Sequence, residues 1–210
     1  MKKILIVAGD SSGDIHASKL MIALKSKIED IEFIGIGGKE MTSNGLQSIA
    51  PIEKMSVVGF WEVAKKYKFF KNVMNECIKI IQNQKIDAFI PVDYPGFNLR
   101  LAKKAKENNV PVIYYIAPQL WAWGKNRAKK IKGYTDLLLT VLPFEKDYFT
   151  KFGINSIFVG HPLLDNPVFD KATSKYDERE NIIALLPGSR EQELKQHLPI
   201  MNEIVNLYVR

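Results

Sequence analysis

The stretch "KILIVAGDSSGDIHASKLMIALKSK", residues 3–27, decides the fold. Residues 4–8 are apolar without alternation, the pattern of a strand covered on both faces. The turn that follows is built from glycine, serine and aspartate, and the residues after it carry a helical period. Asp14 is expected to cap a helix beginning near Ile15. Two lysines ahead of an apolar run also resemble the start of a secretory signal. Five apolar residues are too few for its hydrophobic region, and Gly9 and Asp10 follow at once.

The same unit recurs outward from this point. Short apolar runs stand at 32–37 (EFIGIG), 87–93 (DAFIPVD), 111–117 (PVIYYIA), 136–142 (DLLLTVL), 156–160 (SIFVG) and 182–188 (IIALLPG), with helical patterns between several of them. Alternating strands and helices predict an α/β fold with a Rossmann-like, doubly wound parallel sheet. Asn98 is a candidate cap for the helix after Pro95-Gly96, and Gly153 a candidate terminator for the helix from Phe144. Residues 165–181 are polar and read as a linker. The expected organisation is a domain over 1–164, a linker over 165–181, and the opening of a second domain over 182–210. That last segment is too short to bury a core alone.

The chain has 210 residues, and 30 lysines and arginines against 23 acids leave a net charge of +7. The excess suits an anionic partner: a phosphate, an acidic membrane surface or a nucleic acid. Cys77 is the single cysteine, which excludes an internal disulfide and, without a His/Cys cluster, argues against structural zinc. No apolar run approaches the length of about 18 residues that spans a bilayer.

Five stretches could carry chemistry, each at a strand end. "AGDSSGD" (8–14) lets backbone N–H groups approach a ligand, although it has neither the dinucleotide spacing nor a Walker lysine. "PVDYPGFN" (91–98) puts Asp93 where open α/β sheets hold ligands, as a proton acceptor or as a brace for the turn. In "YYIAPQLWAWGKNRAKKIKGY" (114–134), Trp121 and Trp123 adjoin five cations, either an acidic head-group site or a solvated basic helix. No nucleic-acid-binding pattern accompanies it. His161 in "FVGHPLLD" (158–165) either donates to a ligand or braces a turn. Arg190 in "LLPGSR" (185–190) suits a pyrophosphate. His16 and Cys77 lack partners at catalytic spacing and read as structural.

Together "AGDSSGD", "GIGGKEM", "VDYPGFN", "YYIAPQLWAWGKNRAKKI", "LPFEKDYF", "FVGHPLLD" and "LLPGSR" resemble the lipid-A-disaccharide synthase family of inverting glycosyltransferases, in the family's order and across essentially the whole chain. The resemblance implies a GT-B fold, with an N-terminal acceptor domain facing a C-terminal nucleotide-donor domain. It implies that UDP-2,3-diacylglucosamine is joined to 2,3-diacylglucosamine 1-phosphate with release of UDP, and that no metal or cofactor is needed. Asp93 matches the family's proposed general base. Gly9, Ser11, Ser12, Gly13 and Asp14 match the first loop of the cleft. Asn98, Gln119, Trp121, Trp123, Arg127 and His161 match acceptor-side and cleft motifs, and Ser189 and Arg190 the donor diphosphate motif.

The sequence departs from the family in two ways. Gly96 stands where the family is often acidic, and the later donor motifs lie beyond these 210 residues. The C-terminal domain is therefore expected to be truncated: either the chain is a fragment or truncated gene product, or a complementing chain or a homodimer partner completes it. Weak or absent activity is expected of residues 1–210 alone. An inactive acyl-sugar-binding fragment and an enzyme for a soluble UDP-sugar are the alternatives.

"SVVGFWEVAKKYKFFKNV" (56–73) interleaves aromatics with lysines. At 100° per residue Phe60, Tyr67 and Phe70 share a stripe with Val63, Ala64 and Met74. Trp61 and Phe69 fall off it, among Lys65, Lys66 and Lys68. Outward aromatics beside lysines predict a membrane-docking helix near 56–74, or else core packing. For the resembled family, whose substrates are diacylated, docking on an anionic membrane is expected, at the cytoplasmic face of the inner membrane.

Overall fold

The computed structural model describes residues 1–55, 66–122, 127–165, 183–188 and 191–208. Met1–Asp165 and Asn166–Arg210 form two compact units.

In the first unit the described strands are β1 (Lys2–Ala8), β2 (Ile31–Gly37), β3 (Leu46–Pro51), β4 (Ala88–Val92), β5 (Ile113–Tyr115), β6 (Leu137–Thr140) and β7 (Ser156–Phe158). They form one sheet of order β3-β2-β1-β4-β5-β6-β7, with every pairing parallel. The described helices are α1 (Ser11–Lys25), α2 (Lys39–Ser43), α3 (Ile52–Met55), α4 (Tyr67–Asn83), α5 (Pro95–Glu107), α6 (Ala128–Tyr134) and α7 (Pro143–Thr150).

β1 shows why the sheet is covered on both faces. Leu5 and Val7 enter a core with Val73, Cys77 and Ile81 of α4 and Phe97 and Leu101 of α5. Ile4, Ile6 and Ala8 enter a different core, with Ala17 and Met21 of α1 and Met41 of α2. A third cluster joins Tyr114, Leu138, Ile131 and Phe149 under α6 and α7. The order reverses between β1 and β4, so the switch-point crevice lies off the carboxyl ends of those two strands.

The structure corrects two strand expectations. β3 was not among the predicted runs because "LQSIAP" is an edge strand: Leu46 and Ala50 are buried while Gln47 and Ser48 face outward. Residues 183–188 form no strand, and Ile183 and Leu186 are exposed. A strand exists only through a neighbour's backbone hydrogen bonds, and none is seen for this run among the described residues. In the second unit α8 (Glu191–Tyr208) follows, and His197 Nδ1 lies 2.8 Å from the Pro187 carbonyl oxygen. No helix among the described residues is long and apolar enough to cross a membrane.

Candidate functional site

β1 ends at Ala8 and β4 at Val92, so Gly9 and Asp93 leave adjacent strands at the switch point. Asp93 and Tyr94 both lie in the left-handed region, at φ 42° and 51°. Such a pair of non-glycine residues persists only where its surroundings over-determine it. The Asp93 N–H donates to the Tyr115 carbonyl at 3.0 Å. Its own carbonyl accepts from the Tyr114 hydroxyl at 2.6 Å and from Asn98 Nδ2 at 2.8 Å. The Tyr94 hydroxyl donates to the Met55 carbonyl at 2.9 Å. The Tyr94 ring lies across Gly9, where a Cβ would come within 2.1 Å of it. Glycine at position 9 is thus a condition for the Asp93-Tyr94 turn.

Asn98 is a correction. It does not cap α5, whose N-cap is Tyr94; it is fully buried, and its amide nitrogen also reaches the carbonyls of Val7 (3.2 Å) and Val92 (3.3 Å). It ties β1 to the turn that carries Asp93. Asp14 is a second correction. Asp10 caps α1, accepting from the Gly13 N–H and the Ser12 hydroxyl, each at 2.8 Å. The Asp14 carboxylate is buried and accepts from the N–H groups of Gly38 (2.7 Å), Glu40 (3.0 Å) and Met41 (3.1 Å). It fastens the start of α2 to α1.

Asp93 is half-buried and lines a cavity of about 100 Å³ with Ser12, Gly13, His16 and His161. Burial first, and then the Asp10 charge, hold its carboxyl above the ordinary aspartate range, against the pull of the Tyr94 N–H. A carboxylate so placed is a better base than a solvated one. His16, read from the sequence as structural, lines the same space. Burial, then His161 and Lys19, lower its pKa, while Asp10 opposes them, so it is neutral at pH 7. The available signal was spacing: α1 begins at Ser11, so Ser12 and His16 are i and i+4 on one face. His161 Nδ1 accepts from the Leu163 N–H at 3.3 Å, which leaves Nε2–H as its donor in the neutral ring. Tyr94, whose strained turn aims the acid, had no sequence signal beyond its place beside Asp93.

The remaining described candidates do not line this cavity. Ser11 and Gln119 are exposed. Trp121 Nε1 donates to Glu145 Oε1 at 3.2 Å, and its ring meets Phe144 edge-on at 5.2 Å, so it is braced on α7. Arg127 lines a different pocket, beside α5. Of the predicted membrane contacts, Tyr67 is 63% exposed and Lys68 is exposed, with Lys66 half-buried. Phe69 is corrected: together with Phe70 it is half-buried against the core, because α4 turns its 69/70–73–77–81 stripe onto the sheet. Trp123, Ser189 and Arg190, together with Phe60, Trp61 and Lys65, lie outside the described residues.

Comparison with known proteins bears on the fold and the family. A solved structure of Phytolacca americana UGT2, complexed with UDP-2-fluoroglucose and pterostilbene, matches 80% of this chain and 56% of that one. The TM-score is 0.50 at 9% identity, a likeness of fold alone, to a GT-B glycosyltransferase. The lipid-A-disaccharide synthase of Syntrophus aciditrophicus is 44% identical over 209 residues, covering 95% of this chain and 54% of the relative. That of Persephonella marina is 41% identical over 210 residues, covering 96% and 54%. The chain thus spans about half the length of the curated relatives it matches. Residues 4–208 match the model of the LpxB family, lipid-A-disaccharide synthetase, and the chain belongs to that family.

Proposed function

We propose that this chain supplies the acceptor half of an inverting hexosyltransferase that makes lipid A disaccharide. The acceptor is 2,3-diacylglucosamine 1-phosphate and the donor UDP-2,3-diacylglucosamine. Asp93 takes the proton of the acceptor 6-hydroxyl as its oxygen attacks the donor's anomeric carbon. The bond from that carbon to the diphosphate oxygen breaks, UDP leaves with the electron pair, and an α-linked donor becomes a β-linked product. Ser189 and Arg190 supply hydrogen bonds and countercharge to the leaving diphosphate. Ser12, His16 and His161 orient the hydroxyl at Asp93. The acylated substrates place the enzyme at an anionic membrane, on the cytoplasmic face of the inner membrane. No cofactor or nucleic acid takes part.

One observation carries this reading: a desolvated carboxylate at the switch point, facing a small cavity of mixed polar and apolar lining from a strained, multiply tethered turn. Asp93→Ala in the whole protein is expected to lower transfer by about 10²–10⁴-fold, the range for loss of a general base. Turnover within a few-fold of the parent would remove Asp93 from that role.

A further inference from the structure

Two cavities flank α5, and they share a wall. A groove of about 490 Å³ between α4 and α5 is walled by Tyr67, Phe70, Met74, Ile78 and Phe97. On the other side of α5, toward α6, a pocket of about 450 Å³ is lined by Arg100, Lys103, Lys104, Arg127 and Lys130, with no acidic residue among the described residues of its lining. Gly96, Arg100 and Lys104 line both, so the apolar groove and the cationic pocket adjoin along α5. Pro95 and Gly96 bring the pocket within a few residues of Asp93 along the chain.

Three exposed cations of this pocket differ from their neighbours in lacking ion pairs among the described residues. Elsewhere on α5, Lys106 pairs with Asp136 at 2.6 Å. Lys103 and Lys104 share Glu107, at 3.8 and 2.7 Å. Arg100, Arg127 and Lys130 have no carboxylate partner among the described residues, although they stand on two converging helices. Three uncompensated cations around one pocket match a phosphate monoester, which carries about −1.5 to −2 at neutral pH. The guanidinium forks of the two arginines favour its planar pairs of oxygens. The adjoining groove is mostly apolar, with Lys71, Arg100 and Lys104 also in its lining, and its aromatic and aliphatic walls suit a hydrocarbon chain.

We propose that these cavities form one amphiphile site. A phosphate monoester sits between α5 and α6 on Arg100, Arg127 and Lys130, and its alkyl or acyl chain runs along the α4–α5 groove. The assignment rests on the acylated sugar-phosphate acceptor above and locates its phosphate. It also makes α5, which follows directly from Asp93, the element that measures the distance from phosphate to reacting hydroxyl.

The test measures binding of decyl phosphate, decyl glucoside and inorganic phosphate to the full chain by calorimetry. Phosphatidylcholine vesicles doped with phosphatidate, or with phosphatidylglycerol, separate a bilayer head group from a free monomer. Decyl phosphate is expected to bind at least about tenfold more tightly than either partial probe. Combined Arg100→Gln, Arg127→Gln and Lys130→Gln should weaken it by about tenfold or more. A control with the same charge, Lys27→Gln, Lys146→Gln and Lys151→Gln, should change it by less than about threefold. If the triple variant fails to fold, Arg100→Gln and Arg127→Gln are read singly. Preference for phosphatidate over phosphatidylglycerol vesicles, or binding of the monomer alone, supports the site and names its source. Equal losses in variant and control, or decyl glucoside binding as tightly as decyl phosphate, overturn it. Asp93→Asn separates the two proposals: it should abolish transfer while leaving decyl phosphate binding unchanged.

Discussion

At the scale of the residue, Asp93 is a carboxylate made uncomfortable on purpose. Burial and the Asp10 charge raise its pKa, so folding disfavours its ionised form. The unfolded chain ionises this group first. The stability it contributes is present at acidic pH and is lost as pH rises through the raised value. Asp93→Asn removes the charge while keeping a residue that tolerates the left-handed region. The variant is therefore expected to melt above the parent at pH 7. That advantage should close as pH falls through the ordinary aspartate range, as scanning calorimetry at several pH values would record. A pH-independent gap, or a less stable variant, would mean that the carboxylate is well solvated or well paired. The position of Asp93 was legible in the sequence because a strand end followed by Pro-Gly leaves few places for it. Its environment was not legible. The raised pKa depends on Asp10, 83 positions away, and the turn depends on Gly9 making room for Tyr94. No local pattern encodes either.

At the scale of the element, the same distinction separates what sequence periodicity reveals from what only packing decides. The continuous apolar runs at β1, β2, β4 and β6 announced themselves, since strands buried on both faces need them. β3 did not, as an edge strand with one wet face. Residues 183–188 looked like a strand from their composition and pair with nothing described, because apolar character specifies burial and not hydrogen-bond partners. Caps were misread for a related reason: a short polar side chain near a helix start can serve any helix within reach. Asp14 serves α2, a helix of five residues that could not persist unaided. Asp14→Ala would strand the buried N–H groups of Gly38 and Met41 together with that of Glu40. A loss of about 2–3 kcal/mol is expected, the cost of breaking hydrogen bonds to a buried charged acceptor. Urea unfolding should show it as a lower midpoint with an unchanged slope. Asp14→Asn, which keeps one acceptor oxygen, should recover part of the loss. A neutral Asp14→Ala would mean that α2 is held by Met41 packing alone.

At the scale of the whole molecule, the question is how a chain of net charge +7 without a described membrane-spanning helix would meet the lipid acceptor proposed for it. An aromatic anchor was the expectation, and its described part is weaker than expected. Phe69 and Phe70 pack edge-on at 5.7 Å and lean into the core, which leaves Tyr67 outward beside Lys68. One aromatic side chain contributes about 1.5–3 kcal/mol on full burial, too little to hold a protein on a bilayer. Cations near an anionic surface add about 1 kcal/mol each, and salt screens that share within a Debye length of about 8 Å at physiological strength. Docking through this face should therefore be governed by charge. The chain is expected to float with phosphatidylglycerol vesicles at low salt, to be released as salt rises, and to ignore pure phosphatidylcholine. Tyr67→Ala and Phe69→Ala then separate anchor from core. The first should weaken flotation with little change in melting temperature. The second should lower the melting temperature, by the roughly 3–5 kcal/mol cost of a core Phe→Ala scaled down for a half-buried ring, and leave flotation of the folded protein intact. Flotation that persists at high salt, or that is lost with Phe69→Ala in protein of unaltered stability, would make the surface an apolar anchor after all. The core contact of Phe69 would then have to open before the protein reaches the membrane.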